Sequence, residues 1–217
     1  FFLMFLVAFI KFIAFPNRKD SLFRSTSKDS IIVEASGSLG LYYDGKCHKT
    51  YPSSTITNDE AKEWCSNIAE GNGAFPWISY SLNSKKMKLT GYSVRNGCCK
   101  YVDCCCYNDS EYGKVKDIWC CCRLYSFELQ GSNDNRTWKT IHRIEKKRDF
   151  YFCKYESYSF DKTEPFLYVR FAQREEYPGC SFCMVVNEID LYGEAVAVSL
   201  DYDNGSDESV SIIGKIK

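Results

Sequence analysis

Residues 124–138, LYSFELQGSNDNRTW, carry two signals in succession. Tyr125, Phe127 and Leu129 alternate with polar neighbours, as a strand with one face in a core requires. Gly131-Ser132-Asn133-Asp134-Asn135 then collects five turn formers, and Trp138-Lys139-Thr140-Ile141 resumes an extended pattern. A strand, a polar tip and a second strand make a hairpin.

The same alternation recurs on both sides. In WISYSL, Ile78, Tyr80 and Leu82 form one apolar face, and in LYVRFAQ Leu167, Val169 and Phe171 do so. In MKLTGYSV, Met87 and Leu89 hold one parity while Tyr92 and Val94 hold the other; the change falls at Gly91, where a bulge costs least. From about Ile31 to Gly193 short runs of this kind are separated by turn signals, the pattern of a β-sandwich or barrel. No stretch sustains a helical period beyond three turns. The nearest is Asn58 to Ile68, with Asn58 as cap, Asp59 and Glu60 in the first turn, and Ala61, Trp64 and Ile68 on one face; it reads as a short helical loop.

At 217 residues and 25.1 kDa the chain holds one ordinary domain with tails, which excludes a large multidomain enzyme. Lys plus Arg equals Asp plus Glu at 28 each, so no basic excess points to nucleic acid. The unusual features are 13 Cys and 16% aromatic residues. The aromatics suit strands, and their first reading is core packing.

Eight of the cysteines, Cys98, Cys99, Cys104, Cys105, Cys106, Cys120, Cys121 and Cys122, lie within one segment, and Cys47, Cys65, Cys153, Cys180 and Cys183 are dispersed. Adjacent residues have Cα atoms about 3.8 Å apart, below the usual disulfide range, so neighbours in a CC or CCC run each pair elsewhere or not at all. The odd total leaves at least one without a partner inside the monomer. Three readings stand side by side: disulfides stapling a long loop in an oxidising compartment, a metal site for which only Cys180-Ser-Phe-Cys183 has suitable spacing, and reduced cysteines serving as small apolar residues. Connectivity is not deducible from one sequence.

FFLMFLVAFIKFIAF at residues 1–15 is shorter than the ~20 residues that cross a bilayer and has the length of a signal-peptide apolar region. Residues 1–16 are therefore read as a signal-like segment, with an anchor, a buried helix or the remnant of an upstream region as competing readings. Residues 17–30 read as a polar linker, 31–195 as the β-sandwich domain and 196–217 as a flexible tail. Sequons at Asn108, Asn135 and Asn204 are compatible with secretion.

The order of the pieces resembles a known family. PWISYSL, KLTGYSVRNG, LYSFELQGSNDNRTW, PFLYVRFAQ and NEIDLYG look like the successive strands of the coagulation factor V/VIII type C domain, or discoidin domain, with Trp77, Gly97, Gly131, Ser132, Asp134, Trp138, Arg170, Glu188 and Gly193 at its motif positions. The resemblance covers roughly residues 31 to 195. It implies an all-β, galactose-binding-like jelly roll of about eight main strands. It also implies binding rather than catalysis, with glycans, phospholipid headgroups or protein surfaces held by loops at one end.

By position in that domain, one ligand loop is the early segment with Tyr42, Tyr43, Asp44, Lys46 and His48, and another is the Cys-rich segment with Tyr101, Tyr107, Tyr112 and Trp119. The disulfide that often ties the family's domain ends lacks its second cysteine, since Glu194 follows Gly193. The resemblance would then send Cys47 or Cys65 to Cys153, Cys180 or Cys183.

Nothing assembles into a catalytic motif. His48 and His142 are the only imidazoles, His142 reads as a strand-face residue, and no G-x-S-x-G, P-loop or H-E-x-x-H occurs. Glu175-Glu176 lacks the context of an acid and base pair, and the Cys180/Cys183 pair lacks a thioredoxin-like setting. No cofactor or metal is called for, calcium being neither required nor excluded. The basic run Lys146-Lys147-Arg148, near Arg136, Lys139 and Arg143, could meet acidic glycans but reads as a solvated strand end. The expectation is a secreted or surface-displayed, non-enzymatic module that binds a carbohydrate or lipid headgroup, in adhesion for example. The alternative is an intracellular interaction or scaffold domain with reduced cysteines.

Overall fold

The computed structural model describes residues 21–57, 59–69, 74–99, 105–108, 115–119 and 122–198, and of 107–108 and 115–119 the backbone alone. The described strands are β1 (Ile31–Ala35), β2 (Ser38–Tyr43), β3 (Lys46–Lys49), β4 (Trp64–Ser66), β5 (Trp77–Leu82), β6 (Lys85–Asn96), β7 (Cys105–Asn108), β8 (Val115–Trp119), β9 (Ser126–Ser132), β10 (Lys139–Ile144), β11 (Tyr155–Ser159), β12 (Tyr168–Glu175) and β13 (Val185–Ala197). Among the described residues helix is confined to one turn, α1 (Leu22–Ser25), and two short 3-10 segments. No helix among the described residues is long and apolar enough to cross a membrane.

Every pairing is antiparallel, and the strands form two layers. One runs β10-β9-β12-β5-β1 and the other β11-β6-β13-β4-β2. β5 and β6 share only the pair Leu82 and Lys85, so the chain turns there from one layer to the other. Inward residues of both layers make one core: Ile78, Tyr80, Phe127, Leu129, Val169 and Phe171 meet Met87, Leu89, Tyr92, Val94, Ile189 and Leu191. Side chains that alternate along each strand place one set inside, which is the alternation legible in the sequence. The jelly-roll β-sandwich expected from the strand order is the fold observed.

The parity change in β6 is a bulge. Tyr192 pairs with Gly91 and Gly193 with Leu89, which leaves Thr90 as the extra residue. Gly193 has φ +145°, and a Cβ there would run into the Lys88 carbonyl, so glycine is required.

Two expectations are corrected. Asn58 lies outside the described residues, and the rest of the segment read as a helical loop becomes a turn at Asp59–Lys62 followed by strand β4. Trp64 is fully buried and its Nε1 donates to Ser38 Oγ at 2.8 Å. Pairing of β4 with β13 and β2 overrides a weak local period. The described part of the linker, residues 21–30, is also built into the domain. Leu22 and Phe23 are buried in the core, Phe23 lies 5.0 Å from the Tyr80 ring, and Ser21 Oγ donates to Asp190 at 2.6 Å. Two apolar residues in a polar stretch were enough to dock it.

The register defines two ends. At the first lie the β5–β6 turn and the tip of the β9–β10 hairpin, since Ser132 pairs with Tyr168 and Tyr168 with Ser81. At the second lie Asn96 beside Val186, the approach to β9 at Ser126, and the branch of β2 toward β3 and β7.

Candidate functional site

The second end is a small sheet of its own, β3-β2-β7-β8. β2 and β3 join through Asp44 (φ +49°) and Gly45 (φ +79°), the two left-handed residues of a tight hairpin turn, closed by Tyr43 opposite Lys46. The two stretches read as separate ligand loops are thus brought side by side, for β2 pairs with β3 on one edge and with β7 of the Cys-rich segment on the other. Tyr101, Tyr112, Cys104, Cys120 and Cys121 lie outside the described residues, and of Tyr107 and Trp119 only the backbone is placed.

Disulfides fix this sheet. Cys47 on β3 bonds Cys106 on β7 with Cα atoms 5.8 Å apart, and Cys65 on β4 bonds Cys105 on β7, also 5.8 Å apart. Cys99 bonds Cys153 and Cys122 bonds Cys183. Cys98 and Cys180 are disulfide-bonded as well, so all ten described cysteines are oxidised. Cys47 and Cys65 therefore do not reach Cys153, Cys180 or Cys183; adjacent Cys105 and Cys106 point to opposite faces of β7 and take one each. The reading of Cys180 and Cys183 as a metal pair is excluded by the same bonds. The reading of the cysteines as reduced apolar residues fails on the same bonds, although burial itself is seen: Cys65, Cys98, Cys105, Cys122 and Cys183 join Leu41 and Val185 in a second apolar cluster.

Gly40 explains how the Cys47–Cys106 bond fits. It sits on β2 between Lys49 of β3 and Cys106 of β7, and a Cβ there would collide with Cys47 Sγ and come within 3.2 Å of Cys106 Sγ. The bridge passes over the middle strand at the one residue without a side chain.

A cavity of about 220 Å³ opens on the other face of the hairpin, lined by Leu41, Tyr43, His48, Lys49, Thr50, Tyr51, Ser54, Ala61, Lys62 and Glu63. The Tyr43 and His48 rings stack with centroids 3.7 Å apart and planes 10° from parallel. Asp44 Oδ1 lies 2.9 Å from His48 Nε2 and holds that ring. Tyr51 is 55% exposed with Lys49 Nζ 5.2 Å from its ring centre. Tyr42 shares the opposite face with Cys47, and exposed Lys46 is not part of the lining. Of the five hairpin residues singled out from sequence, Tyr43 and His48 line the cavity and Asp44 supports them.

Tyr51, Thr50 and Glu63 were missed. Glu63 is 4% exposed and accepts the Cys98 N–H at 2.7 Å and the Cys99 N–H at 2.6 Å, tying the cavity wall to the start of the Cys-rich segment. Burial pushes its carboxyl up from the ordinary value, against the pull of those two N–H groups. Its partners lie 35 and 36 residues away, so no local signal marks it. Thr50 is buried, donating to the Leu39 carbonyl at 2.6 Å and accepting the Cys65 N–H at 3.3 Å.

The other flagged groups serve the scaffold. His142 is a strand-face residue whose Nδ1 lies 3.0 Å from Tyr92 Oη, and burial lowers its proton affinity. The basic stretch is largely neutralised: Lys147 meets Asp149 and Glu156, Arg143 meets Glu128, and Lys139 meets Glu164. Arg170 stacks on Trp138 at 4.0 Å and donates to Gln130 at 2.7 Å, and Glu188 pairs with Arg95 at 3.3 Å. A larger cavity, about 330 Å³ beside Arg24, is lined by Glu188 and Asp190, which Arg24 and Ser21 already engage.

No family model matches the chain, and no curated protein matches it by sequence. Solved structures do. CpGH89CBM32-5 from Clostridium perfringens, in complex with GalNAc-β-1,3-galactose, has a TM-score of 0.51 at 11% identity, over 76% of this chain and 97% of that one. CBM32-3 from a family 31 glycoside hydrolase of C. perfringens has 0.51 at 13% identity, over 81% and 96%. The CBM32-1 and CBM32-2 domains of C. perfringens ZmpB give 0.53 at 12% identity, over 78% of this chain and 36% of that one. At such identities the likeness is one of fold, the galactose-binding-like jelly roll that the motif order implied.

Proposed function

We propose that the domain is a non-catalytic carbohydrate-binding module whose ligand occupies the cavity at the disulfide-bonded end. The observation that carries this is the cavity itself: the stacked Tyr43 and His48 rings, with Asp44, Lys49 and Lys62 around them, on a cross-linked hairpin whose cavity wall Glu63 ties to the start of the Cys-rich segment. A sugar ring offers a C–H face to an aromatic surface and hydroxyls to charged and polar side chains, and such a mixed lining suits it. Support from outside the chain is the fold shared with a module solved in complex with GalNAc-β-1,3-galactose. Ten oxidised cysteines favour a secreted or surface-displayed protein over the intracellular scaffold reading. A role in adhesion would follow from display of such a module.

A glycan array followed by calorimetry with GalNAc-β-1,3-galactose tests the reading, with anionic liposome flotation alongside. Binding that Tyr43→Ala and His48→Ala each weaken about tenfold, or about 1.4 kcal/mol, supports it. Flotation with liposomes and silence on the array would replace the carbohydrate with a lipid headgroup. Alkylation that finds mostly free thiols in native material would favour the intracellular alternative.

A further inference from the structure

We propose that Asn135 is an N-glycan acceptor and that its glycan stands at the opposite end of the sandwich from the cavity. Three N-x-S/T triplets occur, at Asn108, Asn135 and Asn204. Asn204 lies outside the described residues, and Asn108 is the last residue of β7, opposite Val115 of β8. Asn135 is exposed at the tip of the β9–β10 hairpin.

What singles it out is a spare carboxamide in a turn held by other groups. Ser132 Oγ accepts the Asn135 N–H at 3.0 Å, and Asp134 Oδ1 accepts those of Arg136 at 2.8 Å and Thr137 at 2.7 Å. Asn133, two residues earlier, uses both ends of its side chain, donating to the Pro165 carbonyl at 3.2 Å and accepting the Leu167 N–H at 3.1 Å. The Asn135 carboxamide makes no hydrogen bond among the described residues. It can be modified without taking anything from the fold. Its φ of +57° is one that asparagine and glycine both adopt, so the backbone alone does not demand asparagine.

The donor would be an oligosaccharide on a polyprenyl pyrophosphate. Asn135 Nδ2 attacks the anomeric carbon, the C1–N bond forms as the C1–O bond to phosphate breaks, the lipid pyrophosphate leaves with the electron pair, and the amide proton passes to a base on the transferase. The glycan then projects beside the β5–β6 turn, since Ser132, Tyr168 and Ser81 share one end of their layer.

The full chain is secreted from eukaryotic cells behind a secretion leader, and the peptide containing residue 135 is weighed before and after enzymatic release of N-glycans. A glycan that is released to leave aspartate at 135 is expected, as is its loss in Asn135→Gly, which keeps the turn, and in Thr137→Ala. Recovery of unmodified Asn135 in the secreted protein overturns the assignment. The glycan's placement rests on the proposed cavity and is tested separately: wild type and Asn135→Gly should bind GalNAc-β-1,3-galactose within twofold of each other, and a larger difference overturns the placement while leaving the modification standing.

Discussion

The two ends of the sandwich are held by different chemistry. At the hairpin end, Ser132 and Asp134 collect four backbone N–H groups within a few residues, and Asn133 reaches across to Pro165 and Leu167, just ahead of β12. At the cavity end all four of the described disulfides meet, together with a second apolar cluster made largely of sulfur. Short-range hydrogen bonds suffice where a tip only has to turn. A small sheet of two- to four-residue pairings that must hold a cavity open needs cross-links, because few ladder bonds and little apolar area are available to order it.

Reduction should break this contrast most deeply. The four bridges span 59, 40, 54 and 61 residues, and loop-closure entropy assigns about 4 kcal/mol to each. Hydrogen exchange followed in the course of reduction should show β2, β3 and β7 losing protection before β9 and β12, with ligand binding lost at the first stage; simultaneous loss over both layers would mean the ends are not independent. Next is Gly40→Ala, which should prevent the Cys47–Cys106 bond from closing, expose two alkylatable thiols and cost about 3–4 kcal/mol in urea titration. A variant that keeps both sulfurs bonded would refute the account of the bridge over β2.

Asp134→Ala acts on the other end. Three donors, Arg136 N–H first, hold this carboxyl well below its ordinary range, so its contribution is complete above that range and lost as acid approaches. The variant should melt a few degrees lower at pH 7, lose part of the acid dependence of Tm below about pH 4, and bind ligand unchanged. Smallest is His142. Burial lowers its proton affinity, so the neutral ring favours the fold and stability should decline slightly as pH falls through about 6.5. His142→Phe should flatten that slope in thermal melts from pH 7 to 5.

What could be read from sequence divides along the same line. Strands β5, β6, β9 and β12 are legible because each alternates against a common core, with Gly91 marking the bulge in β6, whereas β13 shows only through its place in the motif order. Motif positions have local or steric reasons: a Cβ on Gly131 would enter the Phe166 ring, and one on Gly97 would meet Val185 and lie 3.1 Å from Glu63 Oε2. By contrast β3 (KCHK), β4 (WCS) and β11 (YESYS) carry almost no alternation, and partners far along the chain decide them. Runs of adjacent cysteines hide their pairing because either neighbour could serve either bridge until strand faces are known. The cavity followed suit: Tyr43 and His48 announce themselves on a hairpin, while Glu63 means nothing until Cys98 and Cys99 are beside it.

The bond over Gly40 bears on strand exchange. A middle strand can leave its sheet only by parting from both neighbours, and here those neighbours are covalently tied to each other across it. While the bridge is closed β2 cannot be traded for the same strand of a second molecule by peeling either edge, so a swapped dimer of this sheet can arise only from chains that have not yet oxidised Cys47 and Cys106.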